Sequence, residues 1–453
     1  MNVRNAWRFL GRLIGLLKVR DTAVIARFDR PVLLSCNDVD RGTTLDGKRF
    51  APLLEGLREI LVALGRETLN LSHPYAVLSS DRVKDGTITL NHRVFLLRLR
   101  TLWRRPWGAA RMKAVRVEAE ARHYVELLRK LDPEAVFSIQ PPFAMCHAAR
   151  QLGIPIVEAM HGSNIQLNDA IFRDHMAHPD HMLPQYILAF DDVTHATFTS
   201  HCAGRDIAVV RAADPWLHAC RRLLAQRDAD TPAAGATRTR RRVLLTLQWG
   251  YDGERESLRD IIPNGVLHPA VEAAIGAAAR HDITFLLRMH PIQINAPGYA
   301  HHRRCIESVA ARFPNVETER ASADPLPLLL DTVCGHITMS SSAVGEAVAA
   351  GVPSLMLCPT LRPGGAHDGF FRELEGEGWV TFGALDAEEI VAWILRCTPS
   401  SERVRPAYDA EAEQRAQLRF YSELIARARL TSGTRAARTA TAGVEQEACG
   451  VGR

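Results

Sequence analysis

A chain of 453 residues exceeds what one hydrophobic core supports, since single domains stop growing near ~250–300 residues, so two domains are expected. Hydrophobic residues at 47% and charged residues at 24% exclude a disordered or fibrous chain. The net charge of +5 is small but uneven, with arginines crowded into the first 130 residues and the stretch Arg238–Arg242. That pattern predicts local anionic partners such as phosphorylated donors or lipid phosphates, and the absence of aromatic-interleaved basic signatures argues against nucleic acid.

Residues 1–24 alternate Trp7, Leu10, Leu13, Ile14 and Leu17 with Arg4, Arg8, Arg12, Lys18 and Arg20. Arginine interrupts any signal-peptide core, and the pattern suits either an interfacial helix or a helix packed on its own protein with a solvated basic face. No stretch reaches the ~20 apolar residues that a membrane span needs, so a cytoplasmic chain is expected, peripheral to the inner face of the membrane if the basic helices touch it.

The first αβ domain is predicted over 25–224. A short apolar run, Pro31 to Cys36, reads as a strand, the polar loop Asn37 to Lys48 follows, and Phe50 to Leu64 places Leu53, Leu54, Leu57, Ile60, Leu61 and Leu64 at helical spacing. An arginine-rich helical insertion is predicted at 92–130, with Trp103 and Trp107 in its apolar content. Then come a strand at Ala135 to Ile139, a helix at Phe143 to Leu152 and a strand at Ile154 to Glu158, an order that implies a parallel sheet. Residues 225–242 are rich in Ala, Thr, Gly, Pro and charge and read as a linker. The second domain, 243–400, repeats the pattern. Strands are predicted at Val243 to Leu247, Thr284 to Arg288, Ile337 to Met339 and Ser354 to Leu357, with helices at His268 to Ala279, Tyr299 to Phe313 and Ala343 to Ala350. A C-terminal helix over 401–430 and a disordered tail over 431–453 complete the reading. The fold class is therefore α/β, two Rossmann-like doubly wound domains facing a central cleft.

The nine cysteines are scattered, with no CxxC pair, and read as reduced cytosolic thiols. The one close histidine pair outside loops, His301 and His302, is adjacent in sequence and expected to splay apart. No structural metal and no cofactor are predicted.

The chemistry concentrates in three places. In His336 to Pro359 a strand delivers Ser340, Ser341 and Ser342 into a turn that opens a helix, which suits backbone N–H groups and hydroxyls to a phosphate, while Glu346 lies where a carboxylate reaches a ribose diol. The same residues also suit ordinary helix capping. In Phe285 to Gln293 a strand ends in Arg288, His290 and Pro291, at the carboxyl edge where α/β sheets bind ligands. In Ile156 to Asn164 another strand ends at His161 and Gly162, with His161 a candidate base or phosphate donor. Asp38 and Asp40, after the first strand, compete for the base role. Gln248 and Trp249 follow the first strand of the second domain, beside the expected nucleotide. The loop Arg362 to Gly369 carries His367 and Asp368 as further polar contacts.

The strand, serine turn, Glu-bearing helix and Gly351-Val352-Pro353 closure resemble the donor half of GT-B glycosyltransferases and of the related non-hydrolysing sugar-nucleotide epimerases. The Arg288-Met289-His290-Pro291 strand end resembles that of capsule and teichoic-acid-type transferases, and His161-Gly162 resembles the turn of polysaccharide transferases of this architecture. The resemblance implies that Ser340, Ser341 and Ser342 cradle a diphosphate and that Glu346 holds the ribose. Arg288 and His290 would then stabilise the leaving diphosphate in a metal-independent transfer. It covers Val243 to Pro359 well and the first domain only through the strand pattern and the His161 turn.

The expected activity is glycosyl transfer from a nucleotide-sugar to a glycan or lipid-linked acceptor in surface polysaccharide (capsule or lipopolysaccharide) biosynthesis, with His161 or Asp38 as base. Polyol-phosphate transfer or sugar-nucleotide epimerisation is the alternative among enzymes. A non-catalytic scaffold that binds an anionic ligand is the alternative outside them.

Overall fold

The computed structural model describes residues 17, 19–22, 29–102, 109–162, 165–166, 170–230, 241–252, 258–400 and 408–449. The N-terminal amphipathic reading therefore lies almost wholly outside the described residues, as do Trp103 and Trp107.

Two six-stranded parallel sheets carry the fold. The first contains β1 (Val32–Cys36), β2 (Thr68–Ser72), β3 (Ala135–Ser138), β4 (Ile156–Ala159), β5 (Tyr186–Ala189) and β6 (Ala208–Arg211), in the order β2-β1-β3-β4-β5-β6. The second contains β7 (Arg241–Thr246), β8 (Ile283–Arg288), β9 (Val316–Glu317), β10 (Gly335–Thr338), β11 (Ser354–Met356) and β12 (Val380–Phe382), in the order β9-β8-β7-β10-β11-β12. Strands covered on both faces need continuous apolar runs, and β1, β3, β4, β5, β10 and β11 are buried at every position. Strand order reverses between β1 and β3 in the first sheet and between β7 and β10 in the second. Ligands of open α/β sheets bind at such reversals, beyond the carboxyl ends of the strands.

Helix α1 (Pro52–Ala63) buries Leu54, Leu57, Ile60 and Leu61 against the first sheet, as their spacing predicts. The arginine-rich stretch is helical, as expected, but only in part an appendage. Helix α2 (Asn91–Leu102) lies outermost, whereas α3 (Ala109–Leu131) buries Tyr124, Val125, Leu128 and Leu131 beside α4 (Phe143–Gln151) and serves as the crossover between β2 and β3. A parallel connection must cross over the sheet, so this helix is required by the topology.

The expected linker is shorter than its composition suggests. Helix α5 (Pro215–Asp230) runs through its first residues and β7 begins at Arg241, while 231–240 lie outside the described residues. The last helix is longer. A disordered tail was expected from 431, yet backbone helix extends from Ala410 to Cys449, consistent with the helix propensity of Ala436, Ala437, Ala440 and Ala442. Its Tyr421, Leu424, Ile425 and Ala428 pack into the core of the first domain, so the chain's end returns to its beginning.

Candidate functional site: the cleft between the two sheets

At the reversal of the second sheet, the loops leaving β7 and β10 are joined by one side chain. The Gln248 Oε1 accepts a hydrogen bond from the Ser340 backbone N–H, and the Ser340 hydroxyl is also within reach at 3.4 Å. The Tyr251 hydroxyl lies 3.3 Å from the Ser340 Oγ. Ser341 accepts from the Ala343 N–H at 3.2 Å and its own N–H donates to the Thr338 hydroxyl. Ser342 is the N-cap of helix α7 (Ala343–Ala349), without a side-chain capping bond. With seven residues α7 has little macrodipole to offer, so the anion-binding capacity of this turn rests on its N–H groups and hydroxyls. An amide oxygen already occupies the Ser340 N–H, the position a phosphate oxygen would take.

His290 is the N-cap of a second short helix, α6 (Pro291–Asn295), where its Nδ1 accepts from the Ile292 N–H at 3.2 Å. This assigns His290 a capping role that places its ring beside Trp249, the ring centroids 6.4 Å apart. Arg288 is held by two backbone carbonyls, its Nη1 donating to Ala321 and Asp324 at 2.7 Å each. Burial lowers its pKa, and the fields of Glu346 and Asp324 oppose that fall. Glu346 is pushed up to about 8 by burial first and by Asp214 second, with Arg288 acting the other way. Asp214 caps α5 from the first domain, accepting from the Trp216 and Leu217 N–H groups at 2.8 and 3.1 Å, and is itself raised by burial. Two carboxyls and one guanidinium thus meet where the domains face each other.

The first domain brings its own loops to this place. A Cβ on Gly162 would lie 3.7 Å from the Ser342 Oγ, so the His161-Gly162 turn faces the serine turn directly. Gly162 does not adopt a left-handed φ, and a Cβ there would meet its neighbours only at ordinary contact distances, so the sharp exit its sequence suggests is not made at this residue. Gly42 is tighter still. A Cβ on it would stand 2.4 Å from the Pro291 Cγ, and Asn295 donates to the Arg41 carbonyl at 3.3 Å. The loop after β1 is therefore seated on the helix that follows β8. Gln166 donates to the Gly369 carbonyl at 3.2 Å, which brings the glycine-rich loop over the same cleft. Within that loop His367 Nδ1 lies 2.9 Å from the Thr360 hydroxyl and Asp368 accepts from the Gly364 N–H, contacts that shape the loop itself.

Asp38 does not reach this cleft as a base. It is 2% exposed, ion-paired with Arg41, and its Oδ2 accepts from the Val77 and Leu78 N–H groups at 2.7 and 2.8 Å. Its other oxygen accepts from the Ser72 hydroxyl at 3.2 Å as well as from Arg41, so both carboxylate oxygens are engaged and none is left for an acceptor. Asp40, two residues on, is the aspartate beside His161. Burial raises its pKa, and the His161 field is the largest influence opposing the rise. A carboxylate next to an exposed imidazole is an arrangement able to orient that ring and take up its charge.

Sequence reasoning missed Gln293, which is fully buried and ties the site together. Its Oε1 accepts the His290 N–H at 2.8 Å, and its Nε2 faces the Gln248 carbonyl at 3.1 Å and the His302 Nδ1 at 2.9 Å. A glutamine three residues after a capping residue is a capping-box signal, the one trace legible in sequence. Replacing Gln293 by leucine is expected to strip a partner from three polar groups, the buried His302 ring and the half-buried His290 N–H and Gln248 carbonyl. At ~1–3 kcal/mol each, the melting temperature should fall by several degrees, measured by calorimetry. An unchanged melt would show that the network is dispensable.

Among the described residues one group, Asp252, His301 and His302, could hold a metal ion, its ligand atoms within 4.8 Å of one another. The two histidines do not splay as adjacency suggests; their rings meet edge to face with centroids 4.3 Å apart. The hydrogen bonds decide against coordination at His302. With Gln293 donating to Nδ1, the ring proton sits on Nε2, which points at the Asp252 Oδ2 3.7 Å away. A metal-bound imidazole has the opposite arrangement, a bare nitrogen towards the ion and a donating N–H behind.

No protein-family model and no curated protein matches the chain. Among solved structures it is similar to UDP-GlcNAc 2-epimerase from Neisseria meningitidis bound to UDP-GlcNAc, at 13% identity and a TM-score of 0.46 over 81% of this chain and 90% of that one. It is similar also to UDP-N-acetylglucosamine 2-epimerase from Rickettsia bellii, at 11% and 0.49 over 89% and 97%. The glycosyltransferase VinC in complex with dTDP matches at 14% and 0.43 over 88% and 100%. Likenesses this distant do not bear on the reaction, and the assignment of two Rossmann-like domains in a GT-B-like arrangement stands on the strand orders and the facing loops of the chain itself.

Proposed function

We propose that the chain is a nucleotide-sugar enzyme that transfers the sugar to a glycan or lipid-linked acceptor in the cleft between its two sheets. The observation that carries this reading is the convergence of the His161-Gly162 turn with the serine turn at the strand-order reversal of the second sheet. The donor diphosphate would displace the Gln248 amide oxygen from the Ser340 N–H, with Ser341, Ser342, Arg288 and His290 around it. Glu346 would accept from the ribose diol. His161, with Asp40 behind it, would deprotonate the acceptor hydroxyl, and the diphosphate would leave into the fixed donors of the turn without a metal ion. Surface polysaccharide is the acceptor class in this reading. No helix of the described residues is long and apolar enough to cross a membrane.

The test is a thermal-shift screen against UDP, CMP, GDP, CDP-glycerol and UDP-sugars, with Arg288→Ala alongside. A ligand at 100 times its Kd adds about 2.7 kcal/mol of stability, so one nucleotide is expected to raise the melting temperature, and the variant is expected to lose that rise. Response to CDP-glycerol alone would move the reading to polyol-phosphate transfer, and response to none would leave a scaffold. Epimerisation is the other enzymatic alternative, and it would require carboxyls placed around the sugar ring. Deuterium entering a UDP-sugar from heavy water, with no acceptor present, would establish that reading over transfer.

A further inference from the structure

The outer face of α2 sets two exposed leucines between two arginines. Leu96 is 54% exposed and Leu99 36%, and Arg93, its half-exposed guanidinium 4.0 Å from Asp21 Oδ2, and Arg100 flank them on the same side of the helix. On the opposite side Val94 is buried, and Asn91 exchanges hydrogen bonds with the Ala76 backbone at 2.8 and 3.0 Å. Asp21 caps the helix start, accepting from the His92 and Arg93 N–H groups at 2.7 and 3.0 Å. The helix is thus fixed at its base while two leucines and two arginines face outwards. Leu17, 46% exposed, lies alongside, its carbonyl 3.4 Å from the His92 Nε2.

We infer that this face docks on an anionic lipid bilayer. The inference rests on the reading of the protein as one that acts on a membrane-held acceptor, and its physical case is separate from that reading. Leucines between arginines on one helix face match the boundary of a bilayer, where apolar side chains enter the acyl region and guanidinium groups meet anionic headgroups. A protein partner fits the face poorly, because three partly exposed leucines fall far short of the ~800 Å² that a stable interface covers on each side.

The full chain is sedimented with vesicles of phosphatidylcholine alone and of phosphatidylcholine mixed with phosphatidylglycerol. Binding is expected only with phosphatidylglycerol, weakening as salt rises. Leu96→Ser with Leu99→Ser, and separately Arg93→Glu with Arg100→Glu, are each expected to lower that binding about tenfold or more. Both double variants should keep the wild-type nucleotide response, and the leucine variant should also keep the wild-type melting temperature. No binding to anionic vesicles, equal binding to neutral ones, or full binding by both variants would overturn the inference. So would concentration-dependent self-association abolished by the leucine changes, which would make the face a contact between copies. Vesicle binding without any nucleotide response would sink the transferase reading alone.

Discussion

Glu346→Gln is expected to stabilise the protein at pH 8–9 and, in the same molecule, to weaken nucleotide binding. Burial pushes the Glu346 carboxyl from its ordinary 4.5 up to about 8, chiefly because the ionised form is desolvated, with Asp214 adding repulsion. A raised carboxyl contributes stability that is fully present below the unfolded value and is lost as pH rises through the folded one. The wild type should therefore lose stability between about pH 4.5 and 8 from this group, while the glutamine variant should not. With allowance for partial solvent access, the gain at pH 9 is about 1–3 kcal/mol, or several degrees in melting temperature. The same carboxylate, once ionised, is the acceptor assigned to a ribose diol, and hydrogen bonds to a charged group are worth about 1.5–3 kcal/mol. Nucleotide affinity should fall about tenfold to a hundredfold, and the variant should lose the wild type's tightening of binding through pH 8. Calorimetry and nucleotide titration at pH 6 and pH 9 measure both. A variant no more stable at pH 9, binding as the wild type does, would remove Glu346 from the site.

Gly42→Ala is expected to separate the two halves of the cleft without unfolding either. The new Cβ would stand 2.4 Å from the Pro291 Cγ and 2.6 Å from its Cβ, far inside contact distance. Neither a proline ring nor the loop it presses on can yield by a rotamer change, so the domains must shift or the contact must open. Overpacking of this kind costs about 1–3 kcal/mol, and here the cost falls on the interface between the two domains. The loop carrying Asp40 would then stand away from the strand end carrying Arg288 and His290. A displacement near 1 Å at such a site costs about a hundredfold in rate. Small-angle scattering should report a larger radius of gyration, and nucleotide turnover should fall while the helical circular dichroism stays constant. An unchanged radius with unchanged turnover would mean that the contact between Gly42 and Pro291 does not hold the cleft.

Much of the fold was legible because parallel strands covered on both faces must be apolar at every position. Pro31 to Cys36, Val243 to Leu247 and Thr284 to Arg288 are predicted within two residues of the observed strands, and helix α1 within two residues at its start. Strands β2, β5, β6, β9 and β12 went unread, being pieces of two to five residues, too short to show a period of their own. Helix α3 was read as an appendage because its arginines dominate its composition, although its buried face is continuous. Among the site residues, the serine turn and the Arg288 strand end could be named from pattern, since a strand that runs into a short polar turn and a helix is a local signal. Asp38 and Asp40 could not be ranked. The difference between them lies in the Val77 and Leu78 amides, about forty residues away in sequence.

Local chemistry therefore set, from the sequence alone, the two-domain α/β class, the periodicity of the strands and helices, and the polar residues that end strands β4, β8 and β10. Tertiary structure decided which of those ends meet. That Ser342 faces Gly162, that Gly42 rests on Pro291, that Glu346 is raised by burial and then by an aspartate from the other domain, and that Gln293 links Gln248 to His290 all depend on packing between distant segments. Sequence periodicity reports which face of an element is buried. The element it is buried against is settled only when the sheets twist and their loops are brought to the same side.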